Sequence, residues 1–194
     1  MSTMADRLIE TMTKAAAHQY GKERVTELAH ALQCAELAAG AGGDEEMVLA
    51  CFLHDVGRYA VAQEEISDTL EAGVARAAKA RPHHESGADL IAPYVPERVV
   101  FLVRAHAAAK RYLCAADPGY YDTLSKGSKH TLALQGGIMT ADEAVSVATH
   151  PWWPDALRLR RWDDEAKIVG KVTRPLSAWE PLLRKYFAGG PAAH

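Results

Sequence analysis

Apolar residues recur along this chain at helical spacing and almost nowhere at strand spacing. Residues 4–18, rich in Ala, Met and Leu, form an amphipathic pattern that breaks at His18-Gln-Tyr-Gly21. From Glu23 onward, Val25, Leu28, Ala29, Leu32, Ala35 and Leu37 return every three or four residues, and Gly40-Ala-Gly-Gly43 ends that helix, with His30 inside it. Asp44 can cap the next helix, whose apolar positions Met47, Val48, Ala50, Cys51 and Leu53 lead into His54 and Asp55 before Gly57 closes it. His83 opens a further helix that stops near Pro93. Pro96 suits the first turn of the next, which carries Val99, Leu102, Val103, His106, Lys110 and Leu113. Downstream, Ser128 can cap a short helix closed by Gly136-Gly137, and Thr140-Ala-Asp-Glu143 has the capping-box pattern. Pro154 starts a helix carrying Leu157, Leu159, Arg160, Trp162 and Asp163, and residues 177–187 form a last amphipathic one. The longest β-branched alternation, residues 168–173, could be extended. The fold class is therefore all-α, a helical bundle. Residues 60–82, acidic and then Ala-rich and basic, read as a surface excursion or a lid.

A chain of 194 residues suits one domain spanning 1–194, with a core over about 20–187, an N-terminal helix within 1–18 and a flexible tail at 188–194. Its net charge of −3 and the lack of a Lys/Arg-rich block argue against a nucleic-acid partner. Cys34, Cys51 and Cys114 lie in apolar helical contexts without Cys-x-x-Cys spacing, which fits buried thiols in a reducing compartment. With no signal peptide and no 18-residue apolar run, the expectation is a cytoplasmic protein without a membrane partner.

The candidate chemistry is a set of donors spread over the helices. His30, the adjacent pair His54 and Asp55, His83 or His84, His106 and Asp163 each lie on or at the edge of a core helix. A bundle gathers ligands from facing helices in this way. Six nitrogen and oxygen donors with two carboxylates suit two octahedral transition metals better than one tetrahedral zinc. Asp55 could bridge the pair while His54 caps one ion. Lys110 is four residues beyond His106 and Arg160 three before Asp163, so an ammonium and a guanidinium are placed to form an anion pocket beside the metals.

These residues resemble the HD-domain superfamily, and the six-donor set its dinuclear branch. The order His83-x-Glu-x-Gly87-Ala88 is similar to the family's third element, which favours His83 over His84; no ligand role falls to His18, His130, His150 or His194. The strings His54-Asp-Val-Gly57, His106-Ala-Ala-Ala-Lys-Arg-Tyr-Leu113, Gln135-Gly-Gly137 and Arg161-Trp-Asp163 go further and resemble the PhnZ/TmpB-type organophosphonate oxygenases. That resemblance implies a mixed-valent Fe(II)/Fe(III) pair using O2 to break the C–P bond of a (R)-1-hydroxy-2-aminoethylphosphonate-type substrate, free amine or N-trimethylated. The products would be phosphate with glycine or glycine betaine. It implies that Tyr20 and Glu23 act as a latch, the Tyr holding an iron position later used by O2 and the Glu drawn to the substrate amine. It also implies that Lys110, Ser128, Gln135 and Arg160 lie near the phosphonate. Arg58 departs from the family pattern by standing where PhnZ has a histidine, which bears on the amine end of the substrate. Tyr20, Tyr59 and Tyr112 are the candidate aromatic faces for a trimethylammonium. The alternative reading is an HD phosphohydrolase, in which a metal-activated water attacks a phosphate ester.

Overall fold

A computed structural model describes residues 3–59 and 81–189; all but the last two residues of the expected excursion or lid at 60–82, and the end of the tail at 190–194, lie outside the described residues. Helix α1 (Met4–Ala15) is closed at its start by a capping box between Thr3 and Asp6. Helices α2 (Glu27–Gly40) and α3 (Glu45–Leu53) follow, capped by Thr26 and Asp44, whose side chains accept from Ala29 and Met47 amides. Then come α4 (His83–Ile91), α5 (Glu97–Ala116), the single turn α6 (Tyr120–Thr123), α7 (Lys126–Leu134), α8 (Ala141–Ala148) and α9 (Trp153–Glu165). A 3-10 turn at Leu176–Ala178 leads into α10 (Glu180–Phe187). Among the described residues there is no strand, only an isolated bridge between Gln19 and Thr26. None of these helices is long and apolar enough to cross a membrane.

The long helix α5 is the axis of the bundle. It packs against α9, α4 and α3, while α2 lies on α3 and α9, and α1 is covered by α10. Leu49, Phe52, Leu53, Leu102, Val103 and Leu159 fill the centre, each fully buried. Burial of such side chains contributes roughly 1.5–3 kcal/mol each. All three cysteines are buried and free.

Several boundaries differ from the sequence expectation. The helix expected from Glu23 begins at Glu27, because Gly21 takes a left-handed turn (φ +54°) and Tyr20–Val25 closes a tight loop, the Tyr20 amide donating to the Val25 carbonyl at 2.9 Å. Helix α7 is capped by Ser125, not Ser128; the Ser128 amide donates to Ser125 Oγ at 3.0 Å, which puts Ser128 in the first turn. His130, given no ligand role, lies within this helix. Residues 168–173 are irregular rather than a strand. The final helix starts at Glu180 after the 3-10 turn.

Gly57 does not end a helix either. Helix α3 stops at Leu53, His54 and Asp55 form a turn, and helical geometry resumes over 56–59. Gly57 is instead required by a close approach: a Cβ there would lie 2.2 Å from the His83 carbonyl oxygen and 2.8 Å from the Gly87 nitrogen. Backbone meets backbone at that point, so nothing flexible can yield. Gly57→Ala is therefore expected to cost roughly 1–3 kcal/mol, a fall of roughly 2–12 °C in melting temperature. An unchanged thermal melt would contradict the contact.

Candidate metal centre

Five separate stretches deliver the six predicted donors to one place. His30 comes from α2, His54 and Asp55 from the turn after α3, His83 from the first turn of α4, His106 from α5 and Asp163 from α9. Neighbouring residues on a regular helix point about 100° apart, but His54 and Asp55 lie where the helix has ended, and both side chains reach the same centre. His30 Nε2 and His54 Nε2 are 3.1 Å apart; His83 Nε2 and His106 Nε2 are 3.3 Å apart. Asp55 stands between the two pairs. Its Oδ2 is 3.3 Å from His54 Nε2 and 3.7 Å from His30 Nε2, and its Oδ1 is 3.0 Å from His83 Nε2 and 3.8 Å from His106 Nε2. Asp163 Oδ1 joins the first pair, 3.3 Å from His30 Nε2.

The orientation of the rings is fixed from behind. Nδ1 of His30 lies 2.8 Å from the Ala166 carbonyl, that of His54 2.8 Å from the Cys51 carbonyl, and that of His106 2.7 Å from the Val103 carbonyl. A carbonyl can only accept, so each Nδ1 carries a hydrogen, and in its neutral form each of these rings presents the Nε2 lone pair to the centre. Lone pairs facing each other at 3.1 Å repel unless something positive lies between them. Asp55 Oδ2 and Asp163 Oδ1 are buried in the same space and receive no hydrogen bond. Such orphaned acceptors are expensive unless a cation satisfies them. The donor set fits metal ions, with His30, His54 and Asp55 able to hold one and Asp55, His83 and His106 another.

Burial opposes a charge on His54 and the Asp55 carboxylate overcomes it, drawing the imidazole well up, so a proton competes there with a metal cation for the same lone pair. Burial works against ionising Asp55, and His54 and His83 more than offset it, holding the carboxyl well below the usual range. Burial likewise opposes the Asp163 charge, and Arg160 and Lys167 overcome it. Burial pushes His106 well down, keeping it neutral and fit to ligate. His84 packs its ring against His83 and His106, is pushed down to about 4 by burial and the neighbouring His83, and belongs to neither donor group.

The centre opens into a cavity of about 210 Å³, small beside the roughly 300–1,000 Å³ of common ligand pockets. Tyr20, Glu23, Arg58, Lys110, Ser128, Gln135 and Arg160 all line it, together with His130, Thr131 and the loop residues Gly21 and Lys22. Tyr20 stacks on His30, ring centroids 3.9 Å apart, and burial followed by the Asp163 charge keeps its phenol protonated. Glu23 accepts a short hydrogen bond from Ser125 Oγ. Lys110 Nζ donates to Thr131 Oγ1 at 2.7 Å and is in salt-bridge contact with no carboxylate among the described residues. Gln135 Oε1 is buried without a donor.

Arg160 does not stand free as an anion-binding fork. One arm donates to Asp163 Oδ2 at 2.5 Å and the others engage Asp164 and the Tyr120 hydroxyl, so its charge is matched by two carboxylates. The effect is to turn Asp163 so that Oδ1 faces His30. Sequence reasoning missed the residues that complete this shell: Asp164, Tyr120, Thr131 and Lys167, whose Nζ is 3.1 Å from Ser128 Oγ and 3.7 Å from Asp163 Oδ1. The i, i+4 spacing of Asp163 and Lys167 was the available signal.

Known proteins place the centre in context. The family model for the HD domain matches residues 9–81. Hydroxymethylphosphonate dioxygenase of Gimesia maris is 36% identical over 148 residues, 76% of this chain and 71% of that protein. The glycine-betaine-forming [1-hydroxy-2-(trimethylamino)ethyl]phosphonate dioxygenase of Leisingera caerulea is 33% identical over 169 residues, 86% and 82% of the two chains. The chain belongs to the HD-domain dioxygenase family. An uncharacterized protein of Acanthamoeba polyphaga mimivirus, 31% identical over 87% of this chain, is a further relative. In this HD-domain dioxygenase the His54-Asp55 pair sits at the meeting point of both donor groups, which yields a direct test. Asp55→Ala is expected to lose both metals, whereas Asp163→Ala removes a donor from the first group alone and is expected to lose one. Elemental analysis of the purified variants reads this, and full metal retention by Asp55→Ala would refute the shared role.

Proposed function

We propose that this enzyme cleaves the C–P bond of a small 1-hydroxyphosphonate of the 1-hydroxy-2-aminoethylphosphonate type with O2. One O2 takes up four electrons: the hydroxyl-bearing carbon becomes a carboxylate and phosphorus leaves as inorganic phosphate. An aminomethyl substituent would give glycine and a trimethylated one glycine betaine, the product printed in the name of the Leisingera caerulea relative. The observation that carries the reading is a pair of donor groups sharing Asp55, open to a cavity whose Lys110 has no acidic partner among the described residues. The metals proposed are two irons, Fe(II)/Fe(III), with His30, His54, Asp55 and Asp163 as ligands of one and Asp55, His83 and His106 as ligands of the other. Iron bound there supplies Lewis acidity and the electrons that activate O2.

The protein's own part is binding, orientation and restraint. Lys110 offers an ammonium to the phosphonate, and the buried Ser128 hydroxyl and Gln135 amide supply further polar contacts. Arg160 acts through Asp163, holding the carboxylate in its ligating orientation. Tyr20, stacked beside His30, and Glu23, tied to Ser125, restrain the site until substrate arrives. A substrate ammonium would compete with Ser125 for the Glu23 carboxylate.

Two measurements follow. Iron-loaded protein is expected to consume O2 and release phosphate from a 1-hydroxyphosphonate in equal amounts, and to show a mixed-valent paramagnetic signal that changes on adding substrate under nitrogen. Phosphate-ester hydrolysis without O2 would favour the hydrolase instead. The second concerns pH. Burial, then the nearby Arg160 charge, lowers Lys110 to about 8 from the ordinary lysine value of 10.5. Its ammonium is therefore present below about 8 and lost as pH rises through it, so kcat/KM should fall along that limb. Lys110→Met should lower kcat/KM by roughly tenfold or more, the 1.5–3 kcal/mol of a charged hydrogen bond, and should flatten the limb. An unchanged pH profile would remove Lys110 from the anion pocket.

A further inference from the structure

The group on the substrate's C1 must be met by the cavity wall, and Arg58 is part of that wall. Among the described residues, Tyr20 is the single Phe, Tyr or Trp lining the cavity. Tyr59 is buried in the core with its hydroxyl donating to the Glu27 carbonyl at 3.3 Å, and Tyr112 packs edge-on against Trp153; neither reaches the cavity. Residues 60–80 contain no Phe, Tyr or Trp, so no aromatic face comes from that stretch.

The Tyr20 ring is already engaged. Besides the stacked His30 imidazole, the Arg58 guanidinium carbon lies 4.8 Å from the ring centroid, the distance of a cation–π contact. Glu27 fixes it there: Arg58 Nε donates to Oε2 at 3.1 Å and Nη2 to Oε1 at 2.9 Å. Glu27 is itself buried and lies behind the wall, not in it, so the cationic end of the pair is the end that meets a ligand. A trimethylammonium group has no hydrogen to donate and depends on aromatic faces and dispersed negative charge. A primary ammonium has three donors, and Glu23 in the same wall can accept from it.

We propose that Arg58 determines specificity: seated on Tyr20 and fixed by Glu27, it fills the cation–π position a trimethylammonium would need. The cavity thereby selects 1-hydroxyphosphonates whose C1 bears hydrogen or a primary aminomethyl group. This inference rests on the hydroxyphosphonate reading above.

The test compares hydroxymethylphosphonate, 1-hydroxy-2-aminoethylphosphonate and its N-trimethylated form on the iron-loaded protein. Binding is read by calorimetry under nitrogen, where no turnover occurs, and kcat/KM is read with O2. The wild type is expected to bind the trimethylated compound at least tenfold more weakly than the free amine, on the scale of one desolvated cation–π contact. Arg58→Ala combined with Glu27→Gln, which removes the guanidinium without stranding a buried acid and leaves the more distant Lys167 Nζ at 6.0 Å from the ring centroid, is expected to close that gap. Equal wild-type binding of the two overturns the inference whether or not the variant folds. A gain for the trimethylated compound in Arg58→Ala alone, but not in the double variant, also overturns it, since the exposed Glu27 charge would then be the cause. Failure of all three compounds to yield phosphate with O2 overturns the functional reading itself, whereas turnover of all three with equal affinity overturns only the role of Arg58.

Discussion

Everything in this site depends on one carboxylate having two pairs of imidazoles to serve. Asp55 Oδ2 faces His30 and His54 and Oδ1 faces His83 and His106. One carboxylate would not neutralise a cation in each of the two groups, and Asp163 supplies a second charge on one side only. The centre is therefore asymmetric. The first group has two histidines and two carboxylates; the second has two histidines and half a claim on Asp55. A metal held by fewer protein donors keeps open positions, which substrates use, and the cavity wall contains His83 and His106 of this poorer group.

The fold serves that carboxylate. Stopping α3 at Leu53 lets His54 and Asp55 leave the helix, and the Gly57 contact with the His83 carbonyl brings the start of α4 against the same turn. Helix α5 then aligns His106 and, one turn on, Lys110 along the cavity. Helix α9 carries Asp163 together with Arg160 and Asp164, and Lys167 follows two residues beyond its end, so the surroundings of the first group come from one helix and the turn that leaves it. The imidazoles of His30, His54 and His106 are anchored by backbone carbonyls rather than by other side chains, a rigid support that no substitution of a partner side chain can remove.

Much of this was legible in the sequence. The helices follow from apolar spacing, and the donors stand out because they are spread over five separate stretches, four helices and the turn after α3. What sequence could not resolve were relations across space. Arg160, three residues before Asp163, was expected to face an anion, yet two carboxylates absorb its charge, one of them the adjacent and overlooked Asp164. Ser128 precedes a helical pattern, as a cap would, but Ser125, three residues earlier, takes that role and frees Ser128 to meet Lys167. Tyr59 and Tyr112 could not be told from Tyr20 without knowing which face of the bundle each occupies. Arg58 was visible as a departure from the family pattern, but its seat on Tyr20 and its hold on Glu27 are properties of the fold.

The most direct test of the account is crystallographic. Diffraction from the iron-loaded protein on both sides of the iron absorption edge is predicted to show two anomalous peaks flanking Asp55, one among His30, His54 and Asp163 and one between His83 and His106. A single peak, or two that do not share Asp55, would contradict it.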